Sequence, residues 1–115
     1  MSRLSLVSLL VADYDEAVAY YVDALGFTLV EDTGLGGGRR WVVLAPQGSQ
    51  DMGILLARAS TEDQKALIGN QTGGRVFLFL HTDDFESEYE RMRTAGVRFV
   101  EAPREEPYGR VVVFE

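Results

Sequence analysis

Apolar residues fall in two patterns along this chain, short continuous blocks and stretches spaced three or four apart, and the two alternate. Residues 4–11 (LSLVSLLV) form a nearly continuous apolar block, the pattern of a strand buried on both faces. Asp13, Tyr14, Asp15 and Glu16 come next in the form of a capping box, an acidic cap with a glutamate three positions on. Ala17, Val18, Tyr21, Val22 and Leu25 then recur at helical spacing, and Gly26 stands where a left-handed residue would end the helix. Residues 27–30 (FTLV) read as a strand, 33–38 (TGLGGG) as a flexible hairpin loop placed to act as a lid, and 39–45 (RRWVVLA) as a strand. A turn at 46–50 and a strand at 52–57 (MGILLA) complete this half. Residues 61–68 fit a short helix capped by Thr61, and 69–74 (GNQTGG) are the best boundary in the chain.

The second half repeats the first. Residues 76–81 (VFLFLH) are an apolar strand, and Asp83, Asp84, Phe85 and Glu86 form another capping pattern with Asp83 as the cap. Phe85, Tyr89, Met92 and Ala95 define a helical face that Gly96 ends. Strands at 97–100 (VRFV) and 110–114 (RVVVF) complete it, the second after a turn at 107–109. Asp13 and Asp83, Glu16 and Glu86, and Gly26 and Gly96 are each 70 residues apart. One such match means little, but three at a single offset argue for duplication. The chain thus divides into a βαβββ module at 1–59, a linker with a short helix at 60–74 and an incomplete second module at 75–115. Two such modules side by side make an α+β fold, a curved mixed sheet with helices outside and a largely apolar concavity suited to a small molecule.

Composition narrows the partners. The 18 acidic residues outnumber the 11 lysines and arginines, a net charge of −7 that repels phosphate backbones, so nucleic acid is not expected. The block at 4–11 is too short to cross a bilayer, and no leader pattern opens the chain, so neither membrane nor export is expected. The absence of cysteine excludes disulfides, thiolate metal sites and a cysteine nucleophile, and fits a cytoplasmic protein.

In both halves the wording resembles the glyoxalase/bleomycin resistance protein/dioxygenase (vicinal oxygen chelate) superfamily. The resemblance is carried by Val11, Ala12 and Asp13 leading into 17–27 (AVAYYVDALGF), and by 40–46 (RWVVLAP). In the second half it is carried by 82–84 (TDD), 91–97 (RMRTAGV) and 106–109 (EPYG). It implies two tandem βαβββ modules around a ligand groove. It also implies a closing Asp-Pro-x-Gly-Asn turn and final strand, which this chain does not contain, so the last strand of module two is expected to be absent. Many relatives hold a divalent metal in the groove on His, Gln or Glu, one ligand early and one late in each module. That metal acts as a Lewis acid on vicinal substrate oxygens. The early positions are placed at Leu6, seven residues before Asp13, and at Phe77, six before Asp83, the late position of module one at Gly53 or Leu55, and the fourth beyond Glu115. Such side chains offer a metal no lone pair, so no cofactor is expected. The resemblance then implies a metal-independent binding protein, working as a homodimer on a small aromatic or amphipathic molecule. The alternative is a lyase, isomerase or dioxygenase using a divalent metal.

Strand parity supplies the candidate contacts. Leu6 and Ser8 share the groove face of the first strand, Ser8 as its hydroxyl. Trp41, Phe77, Phe79 and Tyr108 are aromatic candidates that would stack a flat ligand, though core packing accounts for strand aromatics equally well. His81, the only histidine, shares parity with Phe77 and Phe79 and is placed either to move a proton or to pair with Asp83. Arg39 and Arg40 offer an anionic ligand a partner, or are solvated surface. The glycines at 34–38 lack the spacing of a phosphate cradle.

Overall fold

The computed structural model describes residues 1–48, 52–112 and 114. Cα packing divides the chain into two compact units, Met1–Phe79 and Leu80–Glu115, each taken on its own below.

The first unit is a complete βαβββ module. Strand β1 (Leu6–Val11) is followed by α1 (Tyr14–Ala19), which passes into a π-helical turn over Tyr20–Ala24. Asp13 caps the helix as expected, its carboxylate accepting from the Glu16 N–H at 2.8 Å. Gly26, at φ 74°, turns the chain back into the sheet. Strands β2 (Thr28–Gly36), β3 (Arg39–Ala45) and β4 (Gly53–Arg58) complete it in the order β1-β4-β3-β2, β1 parallel to β4 and the other pairs antiparallel. A short α2 (Glu62–Ala66) comes after β4, capped by Thr61, whose hydroxyl accepts from the Gln64 N–H at 3.1 Å.

Two expectations in this unit are corrected. The segment 33–38 does form the expected hairpin, but most of it is strand rather than flexible loop: β2 runs to Gly36, and only Gly37 and Gly38 form the turn. Both have positive φ, 63° and 79°, the backbone of a tight two-residue hairpin matched to strand twist. Residues 76–81 form no strand. The outer edge of β1, where a strand could add, is met at Leu10 by the Gln71 side chain. Its amide accepts from the Leu10 N–H at 3.2 Å and donates to the Leu10 carbonyl at 3.1 Å.

The core lies between the sheet and α1. The Arg40 and Arg58 guanidinium groups sit 5.1 and 5.7 Å from the centre of the buried Tyr14 ring, which marks their face as the helix side. Alternation then places Val42, Leu44, Ile54 and Leu56 on that side, and Val42 and Leu44 are fully buried. Arg40 also ties the hairpin to the helix. It donates from Nε and Nη2 to the two Asp32 oxygens at 3.1 and 2.6 Å, and from Nη1 to Asp15 at 2.9 Å. The hydrogen bonds from Arg40 hold the Asp32 carboxyl below its ordinary range and push the guanidinium upward.

The second unit holds α3 (Phe85–Thr94) and a hairpin of β5 (Arg104–Glu106) and β6 (Gly109–Val111). Its cap is Asp84, which accepts from the Ser87 N–H at 3.2 Å, one position after the expected Asp83. Thr82 Oγ1 accepts from the Asp84 N–H at 3.1 Å and helps set that start. Gly96 ends the helix at φ 92°, as its counterpart Gly26 does, so the repeat keeps its 70-residue offset at the helix end and slips by one at the cap. The strand expected at 97–100 is reduced to a single bridge between Phe99 and Phe114; of that expected at 110–114, Arg110 and Val111 lie in β6 and Phe114 in this bridge, while Val113 lies outside the described residues. Here rings rather than a ladder make the packing: Phe85, Tyr89, Phe99 and Phe114 form a chain with centroids 6.0, 4.8 and 5.9 Å apart. Among the described residues no helix is long and apolar enough to cross a membrane.

Candidate functional site

The face of the four-stranded sheet turned away from α1 is built from the positions that alternate with the core. One row across it runs Ser8, Leu55, Val43, Glu31, each paired with its neighbour through the strand register. Leu6 lies opposite Gly53, and Thr33 lies opposite Trp41. Ser8, Glu31 and Thr33 are exposed, Leu55 and Ala57 half-buried, and Val43 buried, so an apolar floor runs between a hydroxyl on one edge strand and polar groups on the other. Trp41 keeps 37% of its surface exposed on this floor. A partly exposed indole offers a ring face to a ligand where a fully packed one offers none.

Glu31 and Thr33 belong to this face because of a bulge. Leu29 pairs with Leu44 and Glu31 with Val43, so Val30 is an extra residue in β2 that rotates the rest of the strand by one position. Without it Glu31 would point to the helix side. Thr33 Oγ1 donates to Glu31 Oε2 at 3.1 Å, which fixes the two side chains relative to each other.

Three of the seven expected contacts, Leu6, Ser8 and Trp41, meet on this face. Phe77 is half-buried and Phe79 88% exposed in the irregular segment that ends the first unit. His81 and Tyr108 belong to the second unit: His81 Nε2 lies 3.8 Å from Asp83 Oδ1 with both groups in solvent, and Tyr108 is exposed at the turn between β5 and β6. Of the two arginines offered to an anion, Arg40 is turned to the helix side and bound by Asp15 and Asp32, whereas Arg39 shares the face of Trp41 at the hairpin end. Glu31 and Thr33 were not anticipated. The only hint of them in the sequence is the Gly37-Gly38 pair, a hairpin signal that extends β2 back over both residues.

The donor set does not fit a metal. Leu6 and Gly53 face each other at the early and late positions of the module, and neither bears a side-chain donor. A Cβ added at Gly53 would lie 3.0 Å from the Leu44 carbonyl oxygen, 3.0 Å from Val43 Cγ1 and 3.3 Å from Leu6 Cδ2, so the space a ligating side chain would need is already filled. Leu55, the other late position, pairs with Ser8 and is likewise apolar. Among the described residues no three His, Cys, Asp or Glu side chains converge.

The first unit thus presents a four-stranded mixed sheet with one face covered by α1 and the other open. The chain belongs to the Glyoxalase/Bleomycin resistance protein/Dioxygenase superfamily, whose model matches residues 3–115. An uncharacterized protein of Shewanella frigidimarina is 54% identical over 95% of this chain and 82% of its own length. Among solved structures, UcmS2 superposes with a TM-score of 0.85 at 30% identity, over 100% of this chain and 90% of its own. TnmS3, described as an antibiotic binding protein from Streptomyces sp. CB03234, gives 0.77 at 30% identity, over 100% and 87%.

Proposed function

We propose that this protein binds a small aromatic or amphipathic molecule, without a metal, on the open sheet face around Trp41. The observation that carries this reading is the half-exposed indole on an apolar floor bounded by Ser8 and by the Glu31–Thr33 pair. Such a surface stacks a flat ring and orients it by a few polar groups, the usual division of labour in a ligand site. The similarity to TnmS3 supports it, since that protein is described as binding an antibiotic. The filled space at Gly53 and the apolar Leu6 support the absence of a metal from the reading. We further take the protein to act as a cytoplasmic homodimer, a reading supported by the lack of cysteine and by the exposure of β2, an edge strand able to pair with a second chain.

Trp41 is the only tryptophan, so its fluorescence reports directly on this face. Titration with acridine and with 2-(2-naphthyl)ethanol should quench it saturably, with or without EDTA. Trp41→Ala should weaken binding measured by calorimetry about tenfold, the scale of a lost aromatic stack. Binding that appears only after Mn²⁺, Ni²⁺ or Zn²⁺ is added would overturn the reading.

A further inference from the structure

The polar side of this face has a definite sign, and we infer that Glu31 and Thr33 select ligands carrying an ammonium group beside their aromatic ring. The inference rests on the binding function proposed above and names the class of ligand.

Three features of the pair lead there. First, Thr33 Oγ1 donates its proton to Glu31 Oε2, so the pair presents acceptor lone pairs and a negative charge to a ligand. An ammonium group brings three donors and the opposite charge, and charge-assisted bonds of this kind are about twice as strong as neutral ones. Second, the carboxylate is preorganised. It stands opposite the buried Val43 and is held by Thr33, which lowers the ordering cost on binding. Third, the pair adjoins the ring that would stack the ligand: Thr33 is directly opposite Trp41, and Glu31 is about 6.7 Å farther along the strand at the backbone. An amine one or two methylenes from a flat ring spans that interval.

The competing cation on this face argues less strongly for an acid. Arg39 lies at the hairpin end, beside the Gly37-Gly38 turn and exposed. No apolar neighbour of the Val43 kind lies opposite it, since its partner is Gly36. The net charge of −7 further favours approach by cations over anions.

The test uses one ring with three tails. Calorimetric titration of the full chain with 2-(2-naphthyl)ethylamine, 2-(2-naphthyl)ethanol and 2-naphthylacetate should give the amine the highest affinity, with a preference that shrinks as salt is raised. Glu31→Gln, nearly isosteric on an exposed strand, should weaken the amine about tenfold and the alcohol, which loses a hydrogen bond without an opposite charge, by a clearly smaller factor. Thr33→Val should weaken the amine by a smaller factor, through loss of orientation alone. Equal binding of all three probes, unchanged by Glu31→Gln, would overturn the inference while leaving the binding function standing. Tightest binding of the acetate, lost in Arg39→Gln, would overturn it in favour of an acid site. Failure of every probe to bind would overturn both.

Discussion

Gly53 shows how one residue excludes one chemistry. It stands in β4 directly across from Leu6, with Val43 on its other side, and a methyl group there would press on a backbone carbonyl as well as on two side chains. Flexible side-chain ends can yield by a few tenths of an ångström, but the Leu44 carbonyl is held in the ladder and cannot. Gly53→Ala should therefore destabilise the protein by about 1–3 kcal/mol, the ordinary cost of overpacking. Urea unfolding followed by far-ultraviolet circular dichroism would measure it. An alanine variant as stable as the parent would show that the strand has room, and with it room for a ligating side chain. The same residue shows what the sequence could and could not tell. Position 53 was legible as one of two places for a late metal ligand, and its lack of a donor was plain. That the space itself is filled was not legible, because it depends on the β1–β4 register and on Leu6 bending over the gap.

At the scale of elements, legibility followed burial. The strands β1, β3 and β4 are apolar because they face the core, and their places could be read from composition alone. Strand β2 is exposed at all nine positions, and an edge strand with so little to bury is free to carry Glu31, Asp32, Thr33 and glycines, which look like a loop. The bulge at Val30 then changed which of those residues reach the open face, so half of the candidate site was invisible to a parity argument. Residues 76–81 posed the converse problem: an apolar run with strand chemistry stays irregular when no edge receives it. Here Gln71 takes part of an edge that chemistry alone would leave open. Its amide satisfies both backbone groups of Leu10 and also donates to the Leu67 carbonyl at 3.1 Å, so one side chain stitches the end of the α2 region to β1. Gln71→Ala should speed hydrogen exchange at the Leu10 amide and lower stability by about 1–3 kcal/mol. Unchanged protection at Leu10 would mean that another group takes over the edge when the amide is removed.

The two units differ sharply in what they bury, and this sets how the whole molecule should unfold. Among the described residues the first unit holds a packed core from Leu9 and Val11 through Tyr14 and Phe27 to Val42, Leu44 and Leu56. Among its described residues the second buries only Met92 and Val97 to the same degree and relies on its chain of four rings and on exposed ion pairs such as Arg91–Glu88 and Arg93–Glu90. Exposed pairs add little, and a unit of under about 40 residues without disulfides or metal lies near the limit of independent stability. Trp41 reports on the first unit alone, whereas the helical signal draws on α1, its π-helical turn and α2 in the first unit and on α3 in the second. In a urea titration the helical signal at 222 nm should begin to fall before Trp41 fluorescence shifts, which departs from the single transition of a two-state domain. Coincident curves would show that the second unit draws its stability from the first and that the molecule melts as one. A saturating ring-bearing probe should then separate these cases further. If it binds the sheet face around Trp41, it should raise the midpoint of the fluorescence transition, by mass action on the folded first unit, and leave the early loss of helix where it was.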